Sequence, residues 1–208
     1  MGIVPEGVKL LAVGTAGLLA SVFLSIYSKW LGIPLLTVFF IFTVFSMYFF
    51  RDPLRDRAFA QDQIASPADG TILSIRQEER EGIVVIRIFL SIFNVHLQRA
   101  PIAGKIAKIK FTQGKFAIAY KPEAKDNQRN LIRIEGEKGR AVEVEQITGA
   151  IARRIVSYVK EGESVDASRK IGMIYFGSQV ALYLPKDVKL LVKEGDKVAA
   201  GETVIGAW

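Results

Sequence analysis

Two long uncharged runs near the start constrain this chain more than any other feature. Leu10 to Tyr27 gives 18 residues without a charge, and Leu31 to Phe50 gives 20. Each approaches the ~20 apolar residues that cross a bilayer core. Only Ser28, Lys29 and Trp30 separate them, with Gly32 and Pro34 able to bend the chain, so residues 1–50 read as a membrane-anchoring helical hairpin. Tyr27 and Trp30 suit the membrane interface. Ala12, Ala16 and Ala20 repeat at a small-xxx-small spacing, which predicts the face on which the helices approach. A cleaved signal peptide fits poorly, because no polar leader with a clear cleavage site precedes the first run and the second follows at once. A hairpin returns the chain to its starting side, and Arg51, Arg55 and Arg57 follow directly. The positive-inside rule therefore puts the rest of the chain on the cytoplasmic face of the cell membrane, whether the hairpin spans or only dips into one leaflet.

Charge is concentrated after residue 50. Setting aside Glu6, Lys9 and Lys29, 26 of the 28 basic and 20 of the 21 acidic residues lie in residues 51–208. The net positive charge suits an anionic partner. No aromatic residues interleave with the basic ones as a nucleic-acid surface requires, so a lipid surface is the better match. The chain has no cysteine and one histidine, which excludes disulfides, thiol nucleophiles and His- or Cys-rich metal sites. No metal site is expected, and the chemistry is left to Ser, Asp, Lys, His96 or a cofactor.

Beyond Arg51 the pattern is β. Gly70–Ile75, Ile83–Leu90, Lys105–Phe111, Leu131–Ile134 and Ala141–Gln146 are short alternating or apolar runs between Gly, Pro, Asp and Asn turns. Gly149 to Val159 fits either a helical turn or a strand. An internal echo follows: Val159-Lys-Glu-Gly162-Glu-Ser-Val165 returns 33 positions later as Val192-Lys-Glu-Gly195-Asp-Lys-Val198. Ile171-Gly172 returns as Ile205-Gly206 with one residue of slippage. The expectation is a mostly β domain over 51–208, a sandwich of related halves like the swollen lipoyl- and biotin-carrier folds, with minor helix. No lysine has the exposed, small-residue setting of a carrier's attachment site, so the echo informs the fold alone.

Three polar signals carry candidate chemistry. Asp69-Gly70 within "ASPADG" is by itself an ordinary hairpin turn. His96 within "NVHLQRAPIAG" is of the one residue type whose unperturbed pKa suits proton shuttling, though a lone histidine in a β domain is commonly a packing residue. Gly177-Ser178, between apolar runs in "IGMIYFGSQV", reads as a turn or bulge. Together with "DNQRN" at 126–130 and "QITGAIARRIV" at 146–156, these motifs stand in the order found in the short phosphatidylserine decarboxylase proenzymes. The chain resembles that family from about Phe50 to Trp208. Where many short members carry Arg, Arg and Asp around Phe-Gly-Ser, this chain has Tyr175, Gln179 and Ala181; where longer members have a second His, it has Phe93.

The resemblance implies a self-processing enzyme. Asp69 would orient and charge-stabilise His96, and His96 would take the Ser178 proton. Ser178 Oγ would attack the Gly177 carbonyl, and elimination and hydrolysis would leave a pyruvoyl cofactor derived from Ser178. The products would be a β chain, 1–177, and an α chain, 178–208. Phosphatidylserine would then be decarboxylated to phosphatidylethanolamine through a Schiff base to that pyruvoyl group, with His96 as the reprotonating acid. A membrane-anchored serine hydrolase using Ser178, His96 and Asp69 on an external ester is the alternative, and a non-catalytic carrier or scaffold the third reading. A homodimer would suit a membrane-surface β domain.

Overall fold

The computed structural model describes residues 2–77, 82–115, 126–149, 154–175 and 178–208. The chain divides into two compact units, one ending at Leu54 and one beginning at Arg55.

The first unit is a helical hairpin. Helix α1 is Pro5–Tyr27 and α2 is Lys29–Phe49, leaving Ser28 as a one-residue link in extended conformation. Pro5 opens α1, where its missing N–H costs no helical hydrogen bond. A short antiparallel pair, β1 (Gly2–Ile3) with β2 (Arg51–Asp52), closes the base. Both helices are long and apolar enough to cross a bilayer, with Tyr27 and Trp30 exposed at the tip. The contact face differs from the alanine ladder expected. Ala12, Ala16 and Ala20 are exposed, while Gly7, Gly14 and Ser21, seven residues apart, are buried. A Cβ at Gly14 would strike the Thr43 hydroxyl, and one at Gly17 the Phe39 ring. Alanine is already too large for this approach, and a seven-residue period keeps one seam facing a neighbouring helix. The Ser21 and Thr43 hydroxyls there bond back to the Gly17 and Phe39 carbonyls, both at 2.7 Å, so no donor is stranded.

The second unit is built of strands. They are β3 (Gln63–Ala65), β4 (Gly70–Gln77), β5 (Ile83–Leu90), β6 (Leu97–Arg99), β7 (Gly104–Thr112), β8 (Arg129–Glu135), β9 (Ala141–Ile147) and β10 (Ile155–Ser157). Then come β11 (Ser164–Val165), β12 (Lys170–Ile174), β13 (Ser178–Pro185), β14 (Lys189–Leu190), β15 (Lys197–Val198) and β16 (Val204–Ala207). All five strands expected from alternation are present. Of the ambiguous segment, residues 150–153 lie outside the described residues and 155–157 is strand. Eight strands form one antiparallel sheet in the order β11-β7-β8-β9-β13-β5-β4-β15. Two three-stranded sheets, β10-β12-β6 and β14-β16-β3, contribute to the same core. Ile72, Ile88, Leu90, Ile106, Val144 and Leu182 of the large sheet pack there with Ile171 and Ile205 of the small ones. The unit is mostly β, as the sequence predicts.

The sequence echo is the trace of a pseudo-two-fold axis through the pair Val144 and Leu182, which face each other on β9 and β13. Rotation exchanges β7 with β4, β8 with β5 and β11 with β15. The hydrogen bonds follow: Gly162 N–H donates to Ile106 O at 2.8 Å, and Gly195 N–H to Ile72 O at 2.9 Å. The Glu161 carboxylate takes the Ile109 N–H at 2.7 Å, and Glu194 that of Ile75 at 2.8 Å. Gly162 and Gly195 hold φ of 87° and 89°, a left-handed turn that glycine enters without penalty. One half, β6–β12, is continuous; the other, β3–β5 with β13–β16, is interrupted by it. The first residue of β13, Ser178, thus opens a strand held between β5 of its own half and β9 of the other.

Candidate active site

The C-terminal end of β5 gathers the three residues. Ser178 faces Leu90, the last residue of β5. On the other side of β5, Thr71 faces Phe89, which sets Gly70 and Asp69 at the same end. Adjacent strands lie roughly 4.8 Å apart, so the Ser178 and Asp69 backbones stand about 10 Å apart across β5. Past Leu90 the chain turns and enters β6 through His96. The His96 carbonyl accepts the N–H of Ile174, four residues ahead of Ser178, at 3.2 Å.

Each side chain has a distinct setting. Ser178 is buried, and alternation puts it on the core face with Val180, Leu182 and Leu184. Its Oγ has no hydrogen-bond partner among the described residues. A stranded buried hydroxyl costs roughly 1–3 kcal/mol, which an apolar residue of this size would avoid. His96 is fully buried, with Nδ1 3.0 Å from the Asn94 carbonyl oxygen. A carbonyl only accepts, so Nδ1 carries the proton and the lone pair of the neutral ring belongs to Nε2. Asp69 Oδ1 accepts the Ala200 N–H at 2.8 Å, and Oδ2 meets Arg55 Nη2 at 3.1 Å in a largely buried ion pair. Gly177, with Phe176, lies outside the described residues.

The turn ahead of His96 is tightly built. Asn94 Oδ1 accepts from both the Ser91 N–H, 2.9 Å, and the Ser91 hydroxyl, 2.8 Å. This displays Ile92 and Phe93 outward, Phe93 being 64% exposed. Tyr175, Gln179 and Ala181 lie outside this turn. Gln179 and Ala181 point to the sheet face opposite Ser178, where Gln179 Oε1 accepts from Arg87 at 3.0 Å. The Tyr175 ring lies 5.7 Å from the Arg154 guanidinium.

The pseudo-two-fold separates what the fold needs from what the site adds. Gly70 and Gly104 correspond, and a Cβ at either would collide with the backbone carbonyl opposite, Phe89 O or Glu135 O. Asp69, by contrast, corresponds to Ala103, and Ser178 to Arg140. A cavity of about 240 Å³ lined by Ala103, Gly104, Gly136, Arg140 and Trp208 is this counterpart of the site in the other half. It holds none of Asp69, His96 and Ser178, so its volume reports the repeated architecture and not the chemistry.

The sequence model of the phosphatidylserine decarboxylase family matches residues 42–206. The chain belongs to that family. It is 37% identical over 210 residues to the phosphatidylserine decarboxylase proenzyme of Syntrophus aciditrophicus, covering 98% of this chain and 96% of the relative. It is 44% identical over 184 residues to that of Carboxydothermus hydrogenoformans, covering 85% and 84%. To that of Desulfotalea psychrophila it is 41% identical over 175 residues, covering 81% and 82%.

Residue-by-residue reading missed several parts of this decarboxylase-family site. Arg55 served only as a topogenic charge in the sequence, yet it pairs with Asp69. The Asn94 carbonyl that fixes the His96 tautomer is backbone, and no side-chain pattern reveals it. A buried chain of carboxamides was also missed: Asn130 Nδ2 donates to Gln146 Oε1 at 2.9 Å, Gln146 Nε2 to Gln98 Oε1 at 2.8 Å, and Gln98 Nε2 to His96 O at 2.8 Å. Its signal lay in "DNQRN", "QITG" and "NVHLQ", each of which holds one member.

Proposed function

We propose that this chain decarboxylates phosphatidylserine to phosphatidylethanolamine, after cutting itself between Gly177 and Ser178. Family membership supports the reaction class. The observation that carries the self-cutting is the Ser178 hydroxyl, fully buried and without a partner among the described residues. A hydroxyl in that position is shut off from an external ester but adjoins its own preceding peptide carbonyl. This favours self-processing over the hydrolase reading.

Neutral His96, with its lone pair on Nε2, takes the Ser178 proton as Oγ bonds to the Gly177 carbonyl carbon. The C–N bond to Ser178 breaks, the amine takes a proton, and the peptide becomes an ester. Loss of the Ser178 Cα proton and cleavage of Cβ–Oγ release the Gly177 carboxylate. Water then replaces the nitrogen, which leaves as ammonia, and Ser178 becomes the pyruvoyl end of the α chain. The Asp69 charge favours the imidazolium formed on His96. Ser178 fits as the source of that group, because its side chain stands on the core face at the head of a strand with no hydrogen-bond partner among the described residues. When present, a pyruvoyl group supplies a carbonyl that links to the substrate amine and draws off the electrons released as CO₂ departs.

The chains of 1–177 and 178–208 remain together because β13 is paired along its length by β5 and from Gln179 to Tyr183 by β9. The N-terminal hairpin anchors the enzyme at a membrane with residues 51–208 on the cytoplasmic face. His96 reprotonates the product, while exposed Ile92 and Phe93 beside it suit a lipid substrate. Mass spectrometry of the purified protein tests the reading. Two chains are expected, the smaller beginning with a carbonyl that hydroxylamine traps. A single intact, fully active polypeptide would overturn it.

A further inference from the structure

We propose that Gln98, Gln146 and Asn130 are positioning residues: a buried carboxamide relay that holds the His96 backbone in place for proton transfer at Ser178. This rests on the reading of His96 as the base.

The polarity of the relay is set from the His96 end. A backbone carbonyl only accepts, so Gln98 must offer it Nε2. The Gln98 Oε1 then needs a donor, and Gln146 Nε2 fills it. Gln146 Oε1 is left to accept, and Asn130 Nδ2 supplies the hydrogen. The three side chains are 0%, 0% and 2% exposed in that order. A flip of any one amide would set oxygen against oxygen at the next. The relay joins β8 and β9 of the large sheet to β6 of a small one. Gly172, the partner of Gln98 on β12, gives it room, since a Cβ there would come within 2.7 Å of Gln146 Nε2. Gln98 thus adds a side-chain hold on the His96 carbonyl to that of the Ile174 N–H, while the Asn94 carbonyl holds Nδ1.

The other half of the domain provides an internal control. Under the pseudo-two-fold, Gln98 corresponds to Ile64, Gln146 to Leu184 and Asn130 to Val84. Val84 and Leu184 face each other on β5 and β13 as Asn130 and Gln146 do on β8 and β9. Gly206 stands opposite Ile64 as Gly172 stands opposite Gln98. The same architecture is thus filled by three apolar residues where no histidine follows. Packing alone does not call for carboxamides, and burying them without full satisfaction is costly. They occur in the half that carries His96.

The test uses the full-length chain in detergent, following self-cutting with time. The triple variant Gln98→Ile, Gln146→Leu, Asn130→Val copies the other half. It is expected to fold with a cooperative melting transition yet to cut at least about tenfold more slowly than wild type. A folded triple variant that cuts at the wild-type rate overturns the relay. Gln98→Glu gives a second readout, independent of how the triple variant folds. Its carboxyl offers an O–H to the His96 carbonyl only while protonated, so its rate relative to wild type should rise as pH falls. A ratio flat with pH overturns the relay. His96→Ala separates the levels. If it cuts normally, the role of His96 as base fails; if it stays uncut while the relay variants cut normally, only the relay fails.

Discussion

Ser178 faces Leu90 across β13 and β5, and its hydroxyl is buried on the core side of that pair without a hydrogen-bond partner among the described residues. Leu90 is in turn the last strand residue before the turn that delivers His96. One register thus places the proposed nucleophile and base at the same end of the sheet. In the uncut chain an unpaired buried hydroxyl is destabilising, and the proposed self-cutting gives it a use.

Ser178→Ala should therefore block cutting and also stabilise the uncut fold. Covalent states match if the comparison is made within the His96→Ala background, itself expected to stay uncut. There, adding Ser178→Ala should raise stability by about 1 kcal/mol, the desolvation cost of an unpaired hydroxyl. Denaturant unfolding in detergent measures it, and a loss of stability would mean that the hydroxyl is satisfied.

Asp69 and Arg55 can be separated. Asp69→Asn keeps an oxygen for the Ala200 N–H but removes the charge, and should slow cutting by about a hundredfold or more if the charge supports His96. Arg55→Met removes only the partner of the ion pair and should leave cutting within severalfold. Equal slowing in both variants would make Asp69 a structural partner of Arg55, read from time courses on gels.

The paired glycines predict equal penalties in the two halves. A Cβ at Gly162 or Gly195 meets nothing within 4 Å, so the positive φ is the whole cost of alanine. Gly162→Ala and Gly195→Ala should each destabilise by about 1 kcal/mol. Thermal melts of the two variants should shift alike; a large difference would show that the two turns are not equivalent.

Membrane topology is testable because the chain has no cysteine. At roughly 1.5 Å per residue the helices measure about 35 and 32 Å, enough for a core of about 30 Å. In cells, Trp30→Cys should react with an impermeant maleimide from outside, and Leu54→Cys only after permeabilisation. Protection of both from outside would indicate a hairpin that dips into one leaflet.

The long-period features were legible without a structure. Uncharged length fixed the hairpin, alternation fixed the main strands, and the Glu-Gly echo fixed the two related halves, because each reflects one segment's local physics. The alanine ladder misled. Small-residue spacing marks several faces of α1, and only packing against Thr43 and Phe39 selects the glycine face.

The sequence by itself determined that there is a membrane-length hairpin, a β domain, one histidine and a Gly-Ser in the family's setting. Tertiary structure decided how these meet. It put Ser178 at the buried head of a central strand, gave Asp69 to Arg55 and the Ala200 N–H, and fixed the His96 tautomer through the Asn94 carbonyl. It also joined three motifs, up to 48 residues apart, through the side chains of Asn130, Gln146 and Gln98. The physical reason is that hydrogen-bond satisfaction and desolvation are properties of a neighbourhood. In a β fold that neighbourhood is assembled from strands distant in sequence, so it exists only once the register is set.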